Sequence, residues 1–385
     1  MYNIHRTTIL ILLLLTCCVE PYPIKSTTYE GILVVEGFIS TDIKQHQVVI
    51  SRTSPIDKPE FIPETGAVVS ITDNYGGSIP LAENAPGIYL TPPTKGNIGN
   101  TYTLHIATQS GQQLTSEGVT LKDTPDIQNI YAAYLPDLTV GGTKGGIQIY
   151  LDTQDPTGQA HYYRWDYEAT WEIHTPFDSE FIWLGGNEVV FRDVPVSTCY
   201  ATDTSANIII QSTQGLSDSK VTGQVIQTIK GDSPSMAIKY SILIRQYAIS
   251  ENSFLYWKTL KEVNQSQGTL YDTQPGTVNG NITSLTDNQT VLGYFDAGVV
   301  KEMRVFFTPK DFKASGYIPP DYGNDCLFIT AFQVPDSQIG DFLSKNPGLE
   351  IEGATGSGPS TLYLLPKHCC DCTSQGTNIM PPFWQ

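Results

Sequence analysis

The sequence predicts a mainly β protein: an N-terminal immunoglobulin-like or transthyretin-like β-sandwich, then a larger antiparallel β domain with one amphipathic helix. Three observations predict it. Glycine (33) and proline (25) are plentiful while charged residues make up only 16% of the 385 positions, a balance that suits short strands joined by tight turns. Tyrosine, which favours strands, occurs 21 times. Residues 161–174 alternate strictly between an aromatic-rich face and a polar face, the period of a half-buried strand.

At the N-terminus, His5 and Arg6 precede an apolar run at 9–15, far shorter than the ~20 residues that span a bilayer as a helix. A short apolar core behind a basic residue reads as a secretory signal. Leu15, Thr16 and Cys17 then put a branched residue at −3 and small residues at −2 and −1 from Cys18. That is the bacterial lipobox pattern, in which the cysteine is acylated and becomes the new N-terminus. Cys17 fits less well, since it would put Leu15 at −2. Residues 1–17 are therefore read as a lipoprotein signal peptide. Residues 18–28 are read as a lipidated tether, stiffened by Pro21 and Pro23 and held to the membrane by its acyl chains. The formal charge of −17 argues against a nucleic-acid partner, which demands basic patches.

The first domain is placed at 29–123. Its strands begin with 31–39, read as buried on both faces, and 47–52. At 67–72 the residues alternate until Asp73-Asn74-Tyr75-Gly76-Gly77, a strong turn. A short hairpin follows over 79–90. Tyr102, Leu104 and Ile106 then face one way, and Tyr102 after a glycine turn resembles the corner tyrosine of Greek-key sandwiches. The longest loop, 54–65, offers Phe61 and Ile62 as contact residues. Thr124-Pro125 marks the boundary, because proline disfavours helix at the preceding residue.

The second domain is placed at 124–385. The aromatic face of 161–174 (Tyr163, Trp165, Tyr167, Trp171) is assigned to core packing. His161 and His174 lie 13 residues apart on one extended strand, about 40 Å, and cannot share an ion. Further strands are read at 147–150, 189–192, 207–211, 224–229, 237–247, 291–296 and 300–308. Ser250 offers an N-cap for a helix that ends before Gly268. Long loops remain at 175–188, 309–325 and 350–360. Loops of that length are often functional, so Phe181, Trp183, Tyr317 and Tyr322 join the contact candidates.

Five cysteines follow the anchor: Cys199, Cys326, Cys369, Cys370 and Cys372. In an exported chain disulfides are the default, and bonds within the Cys369–Cys372 cluster would be strained. The cluster is therefore expected to reach out to Cys199 and Cys326, with the pairing open and one cysteine left over. Zinc ligands are usually spaced C-x₂₋₄-C, wider than Cys-Cys-Asp-Cys, so no metal site is expected. The final Pro381-Pro382-Phe383-Trp384 is expected to dock on the same surface. There is no G-x-S-x-G elbow, H-E-x-x-H, P-loop or EF-hand loop. No enzyme activity and no cofactor are expected.

Several stretches together resemble a known family. They are Cys18-Val19-Glu20-Pro21-Tyr22, Leu33-Val34-Val35-Glu36-Gly37, Tyr163-Arg164-Trp165 with Glu172, residues 211–217, Gly280-Asn281-Ile282 with Leu292-Gly293-Tyr294-Phe295, and Cys369-Cys370-Asp371-Cys372 with Pro382-Phe383-Trp384. Over nearly the whole chain they resemble a lipoprotein family of Bacteroidetes, domain of unknown function 4249. Cys17 stands where that family has glycine. The family has no established activity, so no functional residue carries over. The resemblance implies an outer-membrane lipoprotein, often encoded beside TonB-dependent receptors, and hence a non-catalytic binding or accessory role. A structural or envelope-assembly role is the alternative, and a cell-envelope hydrolase a more distant one.

Overall fold

The computed structural model describes residues 31–55, 58–266, 278, 280–287, 289–321, 323, 325–355 and 361–384. Cys18 with its signal and tether, Gly268 and Tyr322 lie outside the described residues. The protein is mainly β, with several sheets and few helices.

The first unit is one long sheet rolled back on itself. Leu33–Ile39, Gln47–Arg52, Ile88–Leu90, Ser78–Ala85, Val68–Asp73, Thr101–Ala107 and Gln113–Ser116 follow one another around it. Alternate side chains point inward, giving a core of Val35, Ile50, Ile71, Tyr89, Leu104 and their neighbours. Asp73 closes its turn by accepting backbone N–H bonds from Tyr75 (2.9 Å) and Gly77 (2.8 Å). The Tyr102 hydroxyl accepts the Asn97 N–H at 2.8 Å, the upstream bond of a tyrosine corner.

The sequence reading ends this unit at residue 123, and the structure does not. Ile282–Ser284 pairs antiparallel with Gln113–Ser116, and Leu292–Ala297 pairs parallel with Leu33–Ile39. These returning strands occupy the two ends of the rolled sheet and nearly close it. Alternation identifies a strand but not the sheet it joins. A parallel partner also requires a long crossover, and here everything between residues 124 and 281 serves as one. The doubly buried strand is accordingly Leu292–Ala297, whereas Leu33–Ile39 exposes Glu36.

The return is tightly fitted. Gly293 has φ +106°, and an added Cβ would run into the Val35 carbonyl; a Cβ on Gly280 would meet Gly293 in turn. The buried Asn281 amide donates to the Phe295 carbonyl (2.8 Å) and accepts the Phe295 N–H (2.9 Å), standing in for a strand partner.

In the second unit a three-stranded sheet (Ile127–Val140, Thr143–Gln154, Lys220–Lys230) shares a core with a five-stranded sheet. The centre of the latter is Tyr162–His174, flanked by Thr198–Thr204, Ile209–Ser212 and Tyr240–Ala248, with Val300–Phe307 outermost. Tyr163, Trp165, Tyr167 and Ala169 are buried, as the alternation predicts. The opposite face carries Asp166 against Arg245 and Glu302 beyond, with Glu168 bridging Arg245 (3.8 Å) and Arg304 (3.3 Å). Ile127–Val140 is a strand that the sequence reading lacks, because Pro136 and a register shift between Leu135 and Thr139 break its pattern.

The helix is Glu251–Ser266, capped by the Ser250 hydroxyl, which accepts the Ser253 N–H at 3.1 Å. It packs Tyr256 on Tyr294 (5.2 Å between centroids) and lays Trp257 on the Arg164 guanidinium (4.7 Å). The Ser253 hydroxyl donates to the buried Asp296 carboxylate at 2.6 Å, tying the helix to the returning strand. The first two units are also tied at the predicted boundary. The Thr124 hydroxyl donates to the Val299 carbonyl (2.6 Å) and accepts the Ala248 N–H (3.0 Å). The buried Gln246 amide donates to the Pro125 carbonyl (2.7 Å) and accepts the Trp165 indole N–H (2.8 Å).

Two of the predicted long loops prove to be structured. Phe181–Gly185 and Glu188–Phe191 form a hairpin, and Leu349–Thr355 is a strand. With Phe332–Pro335, Thr361–Pro366 and the helix Ile339–Lys345 they make a third unit around Phe181, Ile339, Ile351, Leu362 and Leu364. The region 124–385 thus holds two cores rather than one, besides lending two strands to the first unit.

Two expectations follow. Gly293→Ala should lower stability to denaturant by at least about 2 kcal/mol, while Gly348→Ala, in open space, should leave it nearly unchanged. Equal midpoints would remove the closing role of Gly293. Burial pushes the Asp296 carboxyl above its usual range, against the opposing Ser253 and Ala297 hydrogen bonds. The folded state therefore favours the proton, and this contribution to stability is lost as pH rises through the folded value. Asp296→Asn should gain stability over wild type as pH rises above about 4, the ordinary aspartate value; a gap that stays constant with pH would refute it.

Candidate functional site

A groove of about 1110 Å³ lies where the edge of the first unit meets the linker, the loop after Thr143–Gln154 and the start of the Glu251–Ser266 helix. Ile98, Asp126, Asp155, His161, Tyr162 and Lys301 are among the residues that line it. Its charges are committed. Burial works against ionisation of Asp155, but the Thr157 hydroxyl (2.6 Å) and the N–H groups of Thr157, Gln159 and Ala160 outweigh it and hold the carboxyl below its usual range. Asp126 pairs with Lys301 at 2.8 Å and raises its ammonium. Buried His161 Nδ1 has no hydrogen-bond partner among the described residues. The groove is suited to holding a polar ligand, and no acid–base pair converges in it. A separate hollow of about 590 Å³ is lined by Asp178, Glu180 and Glu352, and its described lining includes no serine, histidine or cysteine.

The third unit is the stapled one. Cys199 is bonded to Cys372 and Cys326 to Cys369, so the cluster does reach out to the two distant cysteines. Closing loops of 173 and 43 residues contributes on the order of 5 and 4 kcal/mol. Cys370 is the unpaired one, buried, its thiol pushed up to about 12 by burial and by the Glu350, Asp371 and Glu352 carboxylates. The C-terminal segment docks beside this staple: the Trp384 indole donates to Glu172 (3.1 Å), and the Arg304 guanidinium lies 3.5 Å from the Phe383 ring centroid.

The contact candidates divide. Phe61 is exposed. Ile62 instead pairs with Arg52 in a short strand and is half-buried. Phe181 is buried in the third core, Trp183 packs against that core while its indole donates to the Gly186 carbonyl, and Tyr317 is buried in the second core. Tyr322 lies outside the described residues. Phe191 lies directly across the hairpin from Phe181 on the same face and packs on its ring at 4.7 Å between centroids, yet it stays 74% exposed while Phe181 is buried. The same segments expose Ile318 (82%) and Phe328 (84%), which the sequence reading did not single out. Leu184, Val194 and Ile379 are also exposed, and Asn378 donates to the Pro195 carbonyl, so the last two flank one contact.

Three β units, a groove at one junction and a disulfide-stapled end define a multi-unit β protein. The chain belongs to the family described as Domain of unknown function (DUF4249), whose model matches residues 19–304. Cys326 and the Cys369–Cys372 cluster lie beyond that match. No curated protein matches the chain. Among solved structures, a DUF4785 family protein from Legionella pneumophila shares 10% identity at a TM-score of 0.17, over 55% of this chain and 51% of that one. The Yersinia pseudotuberculosis adhesin InvE shares 13% identity at a TM-score of 0.16, over 57% and 55%. The chain thus spans about half the length of the solved structures it matches.

Alkylation tests the staple. Of the five cysteines after residue 18, Cys370 alone should be modified without a reductant, and only after unfolding, because its buried thiol stays protonated at neutral pH. Modification of the native protein at neutral pH would overturn this assignment.

Proposed function

We propose that the protein is an outer-membrane lipoprotein, anchored through Cys18, that works as a non-catalytic accessory of a membrane partner of the TonB-dependent transporter kind. The observation that carries the reading is the set of large apolar side chains that the stapled unit and its neighbouring segments hold in solvent: Phe191, Ile318 and Phe328, with Leu184, Val194 and Ile379. Apolar surface of this kind is commonly an interaction site. Two disulfides fit a chain that matures under oxidising conditions, as an exported lipoprotein would. The rigid staple would present that surface with little ordering cost on binding. The groove favours a second reading, capture of a polar soluble ligand, over a purely structural envelope role.

The test is a gentle-detergent pull-down of the tagged protein from its native membrane, read by mass spectrometry. A transporter recovered in near-stoichiometric amount is expected. Phe191→Asp and Phe328→Asp should each cut its recovery at least tenfold without changing thermal stability, and Cys18→Ser should move the protein out of the membrane fraction. A protein recovered alone would turn attention to the groove.

A further inference from the structure

Beside the Cys326–Cys369 disulfide the structure assembles a second kind of chemistry. The Sγ atoms of Cys326 and Cys369 and a ring nitrogen of His368 all lie within 4.8 Å of one another. His368 Nε2 is 3.5 Å from Cys369 Sγ and 3.2 Å from Asp325 Oδ2. A tetrahedral zinc ion bound by sulfur and imidazole keeps its ligand atoms about 3.5–4 Å apart. Only the sulfur–sulfur bond holds these atoms from that arrangement. We infer that Cys326, Cys369 and His368 form a three-ligand zinc site that opens when the disulfide is reduced, with the fourth position left to water.

The spacing that argues against zinc within Cys369-Cys370-Asp371-Cys372 does not apply, because Cys326 comes from 43 residues away. The two cysteines are buried, while His368 and Asp325 face solvent and leave an ion a way in. The ligand-bearing turns do not depend on the bond they would lose. Cys326 N–H donates to the Gly323 carbonyl (2.9 Å), and the Cys369 carbonyl accepts the Phe177 N–H (3.1 Å). Asp371 N–H donates to the Lys367 carbonyl (2.8 Å) and Cys372 N–H to the Val196 carbonyl (2.9 Å), bonds that reduction leaves intact.

The chemistry balances. A dithiol reductant gives two electrons and two protons to the Cys326–Cys369 bond and becomes a disulfide itself. The two thiols then release two protons as Zn²⁺ binds their thiolates. Removing the ion and reoxidising restores the staple.

The experiment uses the whole protein, a phosphine reductant and Co²⁺ as the probe. The phosphine takes up the oxygen of water as the disulfide accepts its electrons. Reduced wild type should bind one Co²⁺ with a thiolate-to-cobalt charge-transfer band, and oxidised wild type should show no such band. His368→Ala should weaken binding at least tenfold, Cys326→Ser and Cys369→Ser should remove or halve the band, and Cys370→Ser and Cys372→Ser should keep it. The melting point of oxidised His368→Ala should match wild type, which separates a lost ligand from a lost fold. A reduced protein that takes up no cobalt, folded or not, overturns the site. So does a band that survives unchanged in Cys326→Ser, or uptake that is unaltered in His368→Ala.

Discussion

The parallel pairing of Leu33–Ile39 with Leu292–Ala297 is the constraint on which the other units depend. It makes the first sheet close on a strand encoded more than 250 residues later, so the whole second unit becomes the crossover. The close fit at Val35, Gly280 and Gly293, with Asn281 serving as a surrogate strand, fixes the register of that return. With both ends of the sheet near one another, the unit has little free edge to recruit another chain.

Because the chain leaves the first unit, comes back and leaves again, three covalent connections run between the first two units, and buried polar groups lock them. Thr124 and Gln246 each bridge main chain or side chains of different elements with every bond satisfied, and Asp296 joins the helix to the returning strand. Such networks specify geometry because an unmet partner in the interior is costly. The groove lies over this locked junction, where Asp155 holds a turn and Asp126 pairs with Lys301.

Strands with clean alternation were legible: 47–52, 101–107 and the aromatic strand at 161–174 match their observed bounds closely. Ile127–Val140 was not, because a proline and a bulge erase the period. Neither was sheet membership, since Leu292–Ala297 carries no local mark of its distant partner. The candidate site was legible in kind but not in facing. The segments around 181 and 317 do bear exposed apolar residues, but burial divides neighbours: Phe181 and Phe191 share one face of the hairpin and Phe181 alone of the two is buried, and Tyr317 is buried beside an exposed Ile318. Which of two neighbours the core covers depends on the elements packed against it, and composition cannot resolve that. The cysteine cluster did reach Cys199 and Cys326, while the choice of partners depended on the order in which the turns stack.

The pairing is nested: Cys326–Cys369 lies inside the interval spanned by Cys199–Cys372. An oxidase that meets the chain from its N-terminus encounters Cys199 and then Cys326, and joining them first gives a bond the native protein does not contain. Three cysteines crowded at the far end then compete for two places, and Cys370 must lose. A chain that pairs its cysteines in order of synthesis must exchange that first bond to reach the nested native pair.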